Sequence, residues 1–204
     1  RGPQRSRTIE SIAAEAEMLV SGGARELCLV AQDLTTYGTD IDGKPDLEQL
    51  LDRLCQVKDL RWIRLHYAFP TTVTDGLIKQ IASEPKIATY IDVPLQHVDT
   101  DVLKRMRRGY TEKVVRNMVD RLRAQSKYIW LRTTMLVGHP GETEAAFQRL
   151  YDMISTRGAD EYVDNKKKIT SFGFLQDTAN GGADAVFGLD IPLQRLANVL
   201  KAAA

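Results

Sequence analysis

The sequence contains three histidines, His66, His97 and His139, and each stands at the end of an apolar run. Trp62–His66, Tyr90–Pro94 and Ile129–Val137 carry those runs, and Leu27–Ala31 is a fourth, ending at Gln32 and Asp33. The residues just past the runs are polar: Gln32-Asp33, His66-Tyr67, Gln96-His97 and Gly138 through Glu142. In parallel α/β folds, ligands bind where strands end at their carboxyl side. Any one histidine there reads equally as a hydrogen-bonded structural residue, whereas three in equivalent places point to one shared mouth. Zinc would require a local ligand pair beside them. None is present, and no metal site is expected among these residues.

Three further groups each leave two readings open. Ala31 through Gly38 gathers an amide, a carboxylate, hydroxyls and a phenol. That set suits a small ligand with an amine and hydroxyls, or a satisfied loop network turning at Gly38. Gly138-His139-Pro140-Gly141-Glu142-Thr143 lets a ligand approach the backbone closely at a helix start. It also reads as an ordinary strand-to-helix turn with Thr143 as N-cap. Arg132 lies inside an apolar strand and needs a partner. It could clamp a ligand carboxylate bidentately, or pair with Asp92 on a neighbouring strand. Arg64 poses the same choice.

The elements that would position these groups alternate. Apolar spacing predicts a helix over Ile9–Ser21, ended by Gly22 and Gly23. Further helices are expected from Asp46 to about Val57, over Asp75–Ser83, Asp99–Arg108 and Thr111–Ala124, and from Thr143 onward. Strand–helix alternation predicts a parallel sheet with helical crossovers. Beyond Gly158 the pattern changes. Ala159–Lys168 reads as a long loop, Ile169–Leu175 as a last strand, Asp177–Asp184 as turn-like, and Pro192 as the start of a closing helix.

Composition narrows the function classes. The 204 residues are 43% hydrophobic, sufficient for a real core. Lys and Arg number 28 against 27 Asp and Glu, which gives no electrostatic case for a nucleic-acid groove or an acidic membrane. The basic runs Arg105–Arg108 and Lys166–Lys168 read as solvated surface. Cys28 and Cys55 are expected to pack as small buried hydrophobes and make neither a disulfide framework nor a metal site, a pattern that suits a reducing cytosol. No apolar run approaches membrane-spanning length.

Taken in order, the blocks resemble the radical S-adenosylmethionine methylthiotransferases, most closely the RimO type. The resemblance rests on Arg1 through Arg7, on Leu29-Val30-Ala31-Gln32-Asp33 through Tyr37-Gly38, and on Trp62 through Tyr67 with Pro70. It continues in Asp92 through Val98, Leu103 through Arg108, and Leu131-Arg132-Thr133-Thr134 through Gly141-Glu142-Thr143. Ala31-Gln32-Asp33 is more similar to the RimO branch than to the tRNA-modifying MiaB branch, which tends to have Gln-Asn there.

The resemblance implies an α/β fold: a partial (β/α) TIM-like barrel of roughly five parallel strands, the radical SAM core without its first strand. Residues 1–158 are expected to form that core, and 159–204 an atypical end with a last strand and a closing helix. The implied cofactors are S-adenosylmethionine and [4Fe–4S] clusters. The implied reaction adds a methylthio group to the β-carbon of an aspartate in a small-subunit ribosomal protein, protein twelve, in the cytoplasm. By position, Gln32 and Asp33 would lie near the methionine or ribose end of the cofactor. Gln96 and His97 would face the same cavity, Arg132 would take the cofactor carboxylate, and Val137, Gly138 and Glu142 would border the adenine.

The cluster-binding CxxxCxxC is absent from the sequence, and neither cysteine can replace it. The chain alone is therefore expected to be inactive, with one sheet edge unpaired and either covered by a neighbouring chain or poorly soluble. Two other readings stand beside this one: a MiaB-type domain acting on tRNA, and a cluster-free module binding S-adenosylmethionine or a peptide.

Overall fold

The computed structural model describes residues 3–125, 128–155, 159–164, 167–172, 195 and 197–198. The chain divides into two compact units, Arg1–Gln96 with Lys113–Met135, and His97–Glu112 with Leu136–Ala204.

The first unit is built on a four-stranded, all-parallel sheet in the order β1 (Glu26–Leu29), β2 (Trp62–Leu65), β3 (Ile87–Asp92), β4 (Trp130–Arg132). Each strand neighbours the next in sequence, as α/β crossovers dictate. The helices are α1 (Ile9–Ser21), which precedes β1, then the short α2 (Thr39–Asp42), α3 (Leu47–Cys55), α4 (Asp75–Ser83) and, after α5 (Thr100–Arg105) of the second unit, α6 (Glu112–Arg123). Their ends follow local chemistry. Thr8 caps α1 by accepting from Ser11 N at 3.2 Å, and Thr74 caps α4 by accepting from Leu77 N at 3.0 Å. Gly23, at φ +105°, turns the chain out of α1 in a conformation that disfavours any side chain.

One face of this sheet carries the core. Ile63 and Leu65 of β2 and Ile87 and Ile91 of β3 are buried, as are Leu50, Leu51 and Leu54 of α3, Ile78 and Ile81 of α4, and Met118 and Leu122 of α6. Each such side chain contributes roughly 1.5–3 kcal/mol on leaving water. That layer also locks register, because a one-residue slip would turn every apolar side chain to the opposite face.

In the second unit α5 (Thr100–Arg105) and α7 (Glu144–Ser155) are followed by β5 (Ala159–Asp164) and β6 (Lys167–Phe172). These last two pair antiparallel, from Ala159 with Phe172 to Asp164 with Lys167. This corrects two expectations. Ala159–Asp164 is a strand and Lys167–Lys168 the start of its partner, where a long loop over Ala159–Lys168 was expected. Its polar, charged residues hid a hairpin because hairpin pairing is made by the backbone. The strand expected over Ile169–Leu175 begins two residues earlier and runs antiparallel to β5, so the parallel set among the described residues numbers four, where roughly five were expected. Residues 173–175, the turn-like 177–184 and the helix start at Pro192 lie outside the described residues.

A further segment read as loop contains a 3-10 turn at Leu34–Thr36 as well as α2. No described helix is long and apolar enough to cross a membrane.

Candidate functional site

The second face of the sheet is unlike the first. Alternation along each strand puts Glu26 and Cys28 of β1, Trp62 and Arg64 of β2, Tyr90 and Asp92 of β3, and Trp130 and Arg132 of β4 on one side. Arg64 donates to Glu26 Oε1 at 2.6 Å and lies over the Tyr90 ring, 5.1 Å from its centroid. Trp62 is 52% exposed. Parallel sheets normally bury both faces under apolar residues. This face instead holds charges and aromatic rings in partial contact with solvent. Cys28 is therefore exposed, not buried as its apolar strand suggested.

The carboxyl ends of the four strands are tied directly to one another. Leu34 N, past β1, donates to Tyr67 O, past β2, at 3.0 Å. Ala68 N donates to Asp92 O at 2.8 Å, Val93 N to Arg132 O at 2.9 Å, and Gln96 N to Thr134 O at 2.7 Å. Leu95 N donates to Thr133 Oγ1 at 3.1 Å. Tyr67 and Gln96 sit in the left-handed region, at φ 60° and 66°.

Asp92 is the centre of this edge. Its side chain is fully buried, with Arg132 Nη1 3.1 Å from Oδ1 and His66 Nδ1 3.7 Å from Oδ2. Tyr67 N donates to Oδ2 at 3.4 Å, and Oδ1 accepts no hydrogen bond. Three successive strands thus converge on one carboxylate. Burial, helped by this carboxylate, pushes the neighbouring Tyr90 phenol up. Of the two readings for Arg132, pairing with Asp92 is the arrangement present. The guanidinium is not buried as a mid-strand charge implied: its side chain is 55% exposed, because it projects onto the open face of an edge strand.

In the Gln32–Gly38 segment the loop network accounts for most groups. Asp33 Oδ1 accepts from Thr35 N at 3.0 Å and from the Thr35 hydroxyl. Thr36 donates to Gln4 Oε1, Tyr37 OH donates to Arg7 O at 2.7 Å, and Gly38 N donates to Ser6 Oγ. Gly38, at φ +88°, has no room for a Cβ, which would lie 2.7 Å from Asp46 Cβ. Gln32 is exposed and makes no hydrogen bond among the described residues.

The second unit holds His97, Val137, Gly138 and Glu142. The Glu142 carboxylate, 3% exposed, accepts from Gly138 N and His139 N, both at 3.0 Å. Ala146 N donates to Thr143 Oγ1 at 3.3 Å, so the ordinary capped turn is present too. Arg105 donates to Gly141 O, so one side chain of a run read as solvated surface holds this turn. His97 is fully buried; its Nε2 is 3.9 Å from Glu142 Oε1. Burial lowers the affinity of its ring for a proton, against the opposing pull of Glu142 and Asp99. Val137 is exposed.

Sequence reasoning placed His66 at a strand end without giving it a partner, treated Asp92 only as a partner for Arg132, and did not select Arg105. A carboxylate closing the apolar run Ile87–Asp92 was the available signal. For Arg105 there was none, because its partner is a backbone carbonyl.

No group of three His, Cys, Asp or Glu able to hold a metal occurs among the described residues. They offer nothing for an iron–sulfur cluster. The open sheet edge, with an exposed guanidinium beside a buried carboxylate oxygen lacking a hydrogen bond, does fit a zwitterionic ligand such as S-adenosylmethionine.

Curated relatives match most of the chain. A protein of Geobacter sulfurreducens named "Ribosomal protein uS12 methylthiotransferase RimO" is 51% identical over 154 residues, 76% of this chain and 34% of that protein. Proteins of the same name from Trichlorobacter lovleyi and Alkaliphilus oremlandii are 47% and 43% identical, covering 76% and 79% of this chain and 34% and 37% of theirs. The chain thus spans about a third of the length of the curated relatives it matches. Among solved structures, the Methanocaldococcus infernus Elp3 lacking its N-terminus is 13% identical, covering 72% of this chain and 38% of that one with a TM-score of 0.41, too distant to carry weight. The radical SAM superfamily model matches residues 1–154, which take in all four parallel strands and the 138–142 turn, and the chain belongs to that superfamily.

Proposed function

We propose that this chain is the barrel portion of a RimO-type methylthiotransferase. The full-length enzyme would add a methylthio group to the β-carbon of an aspartate in ribosomal protein uS12, in the cytoplasm. The observation that carries the reading is the 51% identity to a RimO-named protein over 154 residues, 76% of this chain. Residues 1–158 would form the barrel core and 159–204 a divergent end.

S-adenosylmethionine, when bound together with [4Fe–4S] clusters, would supply the radical chemistry. The described residues hold no ligand set for those clusters. What the chain's own residues would do is bind and orient. In the first unit, Arg132 would hold the cofactor carboxylate, with Gln32 and Asp33 toward the methionine or ribose portion and Gln96 alongside. In the second unit, Val137, Gly138 and Glu142 would border the adenine, and His97, which the resemblance places facing the cavity, is fully buried and would act through Glu142. Arg132 suits its part because its guanidinium is already oriented by Asp92 yet half open to solvent.

The test uses the full-length protein, reconstituted anaerobically and given uS12 or a peptide around its target aspartate. A methylthio mass increment on that aspartate is the expected result, and its loss in Arg132→Gln the expected companion. Modification of tRNA instead would replace this proposal with the MiaB-type reading. Tight S-adenosylmethionine binding by the 204-residue chain without iron, with no modification of either substrate, would favour a cluster-free binding module.

A further inference from the structure

We propose that His97 is a positioning residue for the Gly138–Glu142 turn, acting through the Glu142 carboxylate. It rests on the reading that this turn faces the cofactor.

The ring is fixed at one nitrogen. Asp99 N donates to His97 Nδ1 at 2.8 Å. A nitrogen that accepts an N–H carries a lone pair, so the neutral ring must hold its proton on Nε2. Asp99 is itself held on both carboxylate oxygens. Its Oδ1 accepts from Asp101 N and Val102 N, each at 3.0 Å, capping α5, and its Oδ2 is paired with Arg149. The ring is thus anchored to the start of a helix and its Nε2–H is aimed.

That donor has no partner. Nε2 is buried and makes no hydrogen bond, and Glu142 Oε1 lies 3.9 Å away. A buried donor left unmade is costly, which favours any motion that satisfies it. Glu142 can accept more. Oε1 takes His139 N and Oε2 takes Gly138 N, and an ionised carboxylate offers about four acceptor positions. A closure of about 1 Å would bring Nε2–H onto Oε1 at ordinary hydrogen-bond length.

The consequence reaches the backbone. Gly138 and Gly141 are both left-handed, at φ +81° and +89°, so the turn is free at both ends and only Pro140 between them has a φ fixed by its own ring. Its shape depends on the Glu142 carboxylate inside and on Arg105 at Gly141 O. His97 links that carboxylate to the α5 cap. It touches no proposed ligand itself and acts by fixing the group that holds Gly138 N and His139 N.

The experiment needs no cofactor. In the wild-type chain, nitrogen-15 spectra of the His97 ring are expected to show the Nε2–H tautomer. His97→Gln and Glu142→Gln should each speed hydrogen exchange at the Gly138 and His139 amides by about tenfold, and the double variant no further than the larger single effect. Exchange at Leu103 in α5 should change much less, which separates positioning from general loosening. An Nδ1–H tautomer would overturn the proposal without any variant, even if His97→Gln failed to fold. Unchanged exchange at 138 and 139, or additive effects in the double variant, would overturn it too. Because none of these readouts uses S-adenosylmethionine, they can fail while the cofactor reading stands, and the converse.

Discussion

Removing the Arg132 head should expose how much the strand-end edge depends on one ion pair. Asp92 is fully buried, and Arg132 Nη1 is 3.1 Å from its Oδ1. Two full charges at that distance attract by roughly 5 kcal/mol in an effective dielectric of about 20. Most of that is not realised. The arginine side chain is more than half exposed, so water competes for it and the net value falls toward that of a surface pair. What remains is the cost of leaving a buried carboxylate with only His66 Nδ1 at 3.7 Å and Tyr67 N at 3.4 Å. An unsatisfied buried polar group costs about 1–3 kcal/mol. Arg132→Ala should therefore destabilise the chain by about 2 kcal/mol, and Asp92→Asn, which removes the stranded charge, by about 1 kcal/mol. Combining them should cost little more than Asp92→Asn alone, a coupling of about 1–2 kcal/mol. Urea unfolding at pH 7 measures all three variants against wild type. Effects that add to within about 0.5 kcal/mol would show that the pair is incidental and refute the account of Asp92 as the centre of the edge.

Burial pushes the Cys55 thiol up to about 11, while Cys28 is exposed, so a maleimide at pH 8 should modify Cys28 far faster, by about a hundredfold, read by mass spectrometry of the two peptides. Leu51→Ala, in a side chain with no exposure, should cost about 2–5 kcal/mol in urea unfolding, whereas Thr74→Ala, which loses the α4 cap, should cost about 1 kcal/mol. Because burial lowers the His97 pKa below its unfolded value, the unfolded chain binds the extra proton first. The stability this gives is full above pH about 6.5 and is lost as pH falls toward the folded pKa, so the drop in urea midpoint between pH 7.5 and 5.5 should shrink in His97→Gln.

Much of the first unit was legible in sequence because its signals are local. Thr8 and Gly22 bracket α1 at Ile9–Ser21, and Thr74 precedes α4 at Asp75–Ser83, as the apolar spacing predicts. The four apolar runs became β1 to β4; β1, β2 and β4 are shorter than their runs, whereas β3 starts three residues before its run and ends two before it does. The Ile129–Val137 run pairs with β3 only at Trp130–Arg132 and then through the Gln96–Met135 bridge. What stayed hidden depends on contacts far apart in sequence. The β5–β6 hairpin uses backbone pairing that charged residues such as Glu161 do not advertise. Cys28 looked buried because composition shows that a strand is apolar, not which of its faces is covered. The choice between a ligand and Asp92 for Arg132 needed the Asp92–Arg132 register, which no local pattern supplies. Among candidate residues, Gln32, Gln96 and Arg132 do stand at the carboxyl ends of one sheet, whereas Asp33 is occupied with its own turn.

The two strained residues explain how that edge keeps its shape. Tyr67 and Gln96 follow β2 and β3, and each adopts a left-handed backbone that costs a non-glycine residue of order 1 kcal/mol or more. Such strain persists only where surroundings over-determine it, and here they do. Tyr67 is held by its carbonyl, which accepts from Leu34 N, and by its N–H, which faces Asp92 Oδ2. Gln96 is held by its N–H on Thr134 O, after Pro94 has taken the chain out of the ladder because it has no N–H to give. Tyr67 twists two residues past the end of β2, and Gln96 twists at the isolated bridge to Met135, where contact with the segment after β4 is last made. An Asp92 without its partners would release the Tyr67 side of this arrangement first, since one of Tyr67's two restraints is the Asp92 carboxylate itself. The ion pair and the backbone strain are therefore one device, and it sits where four strand ends meet.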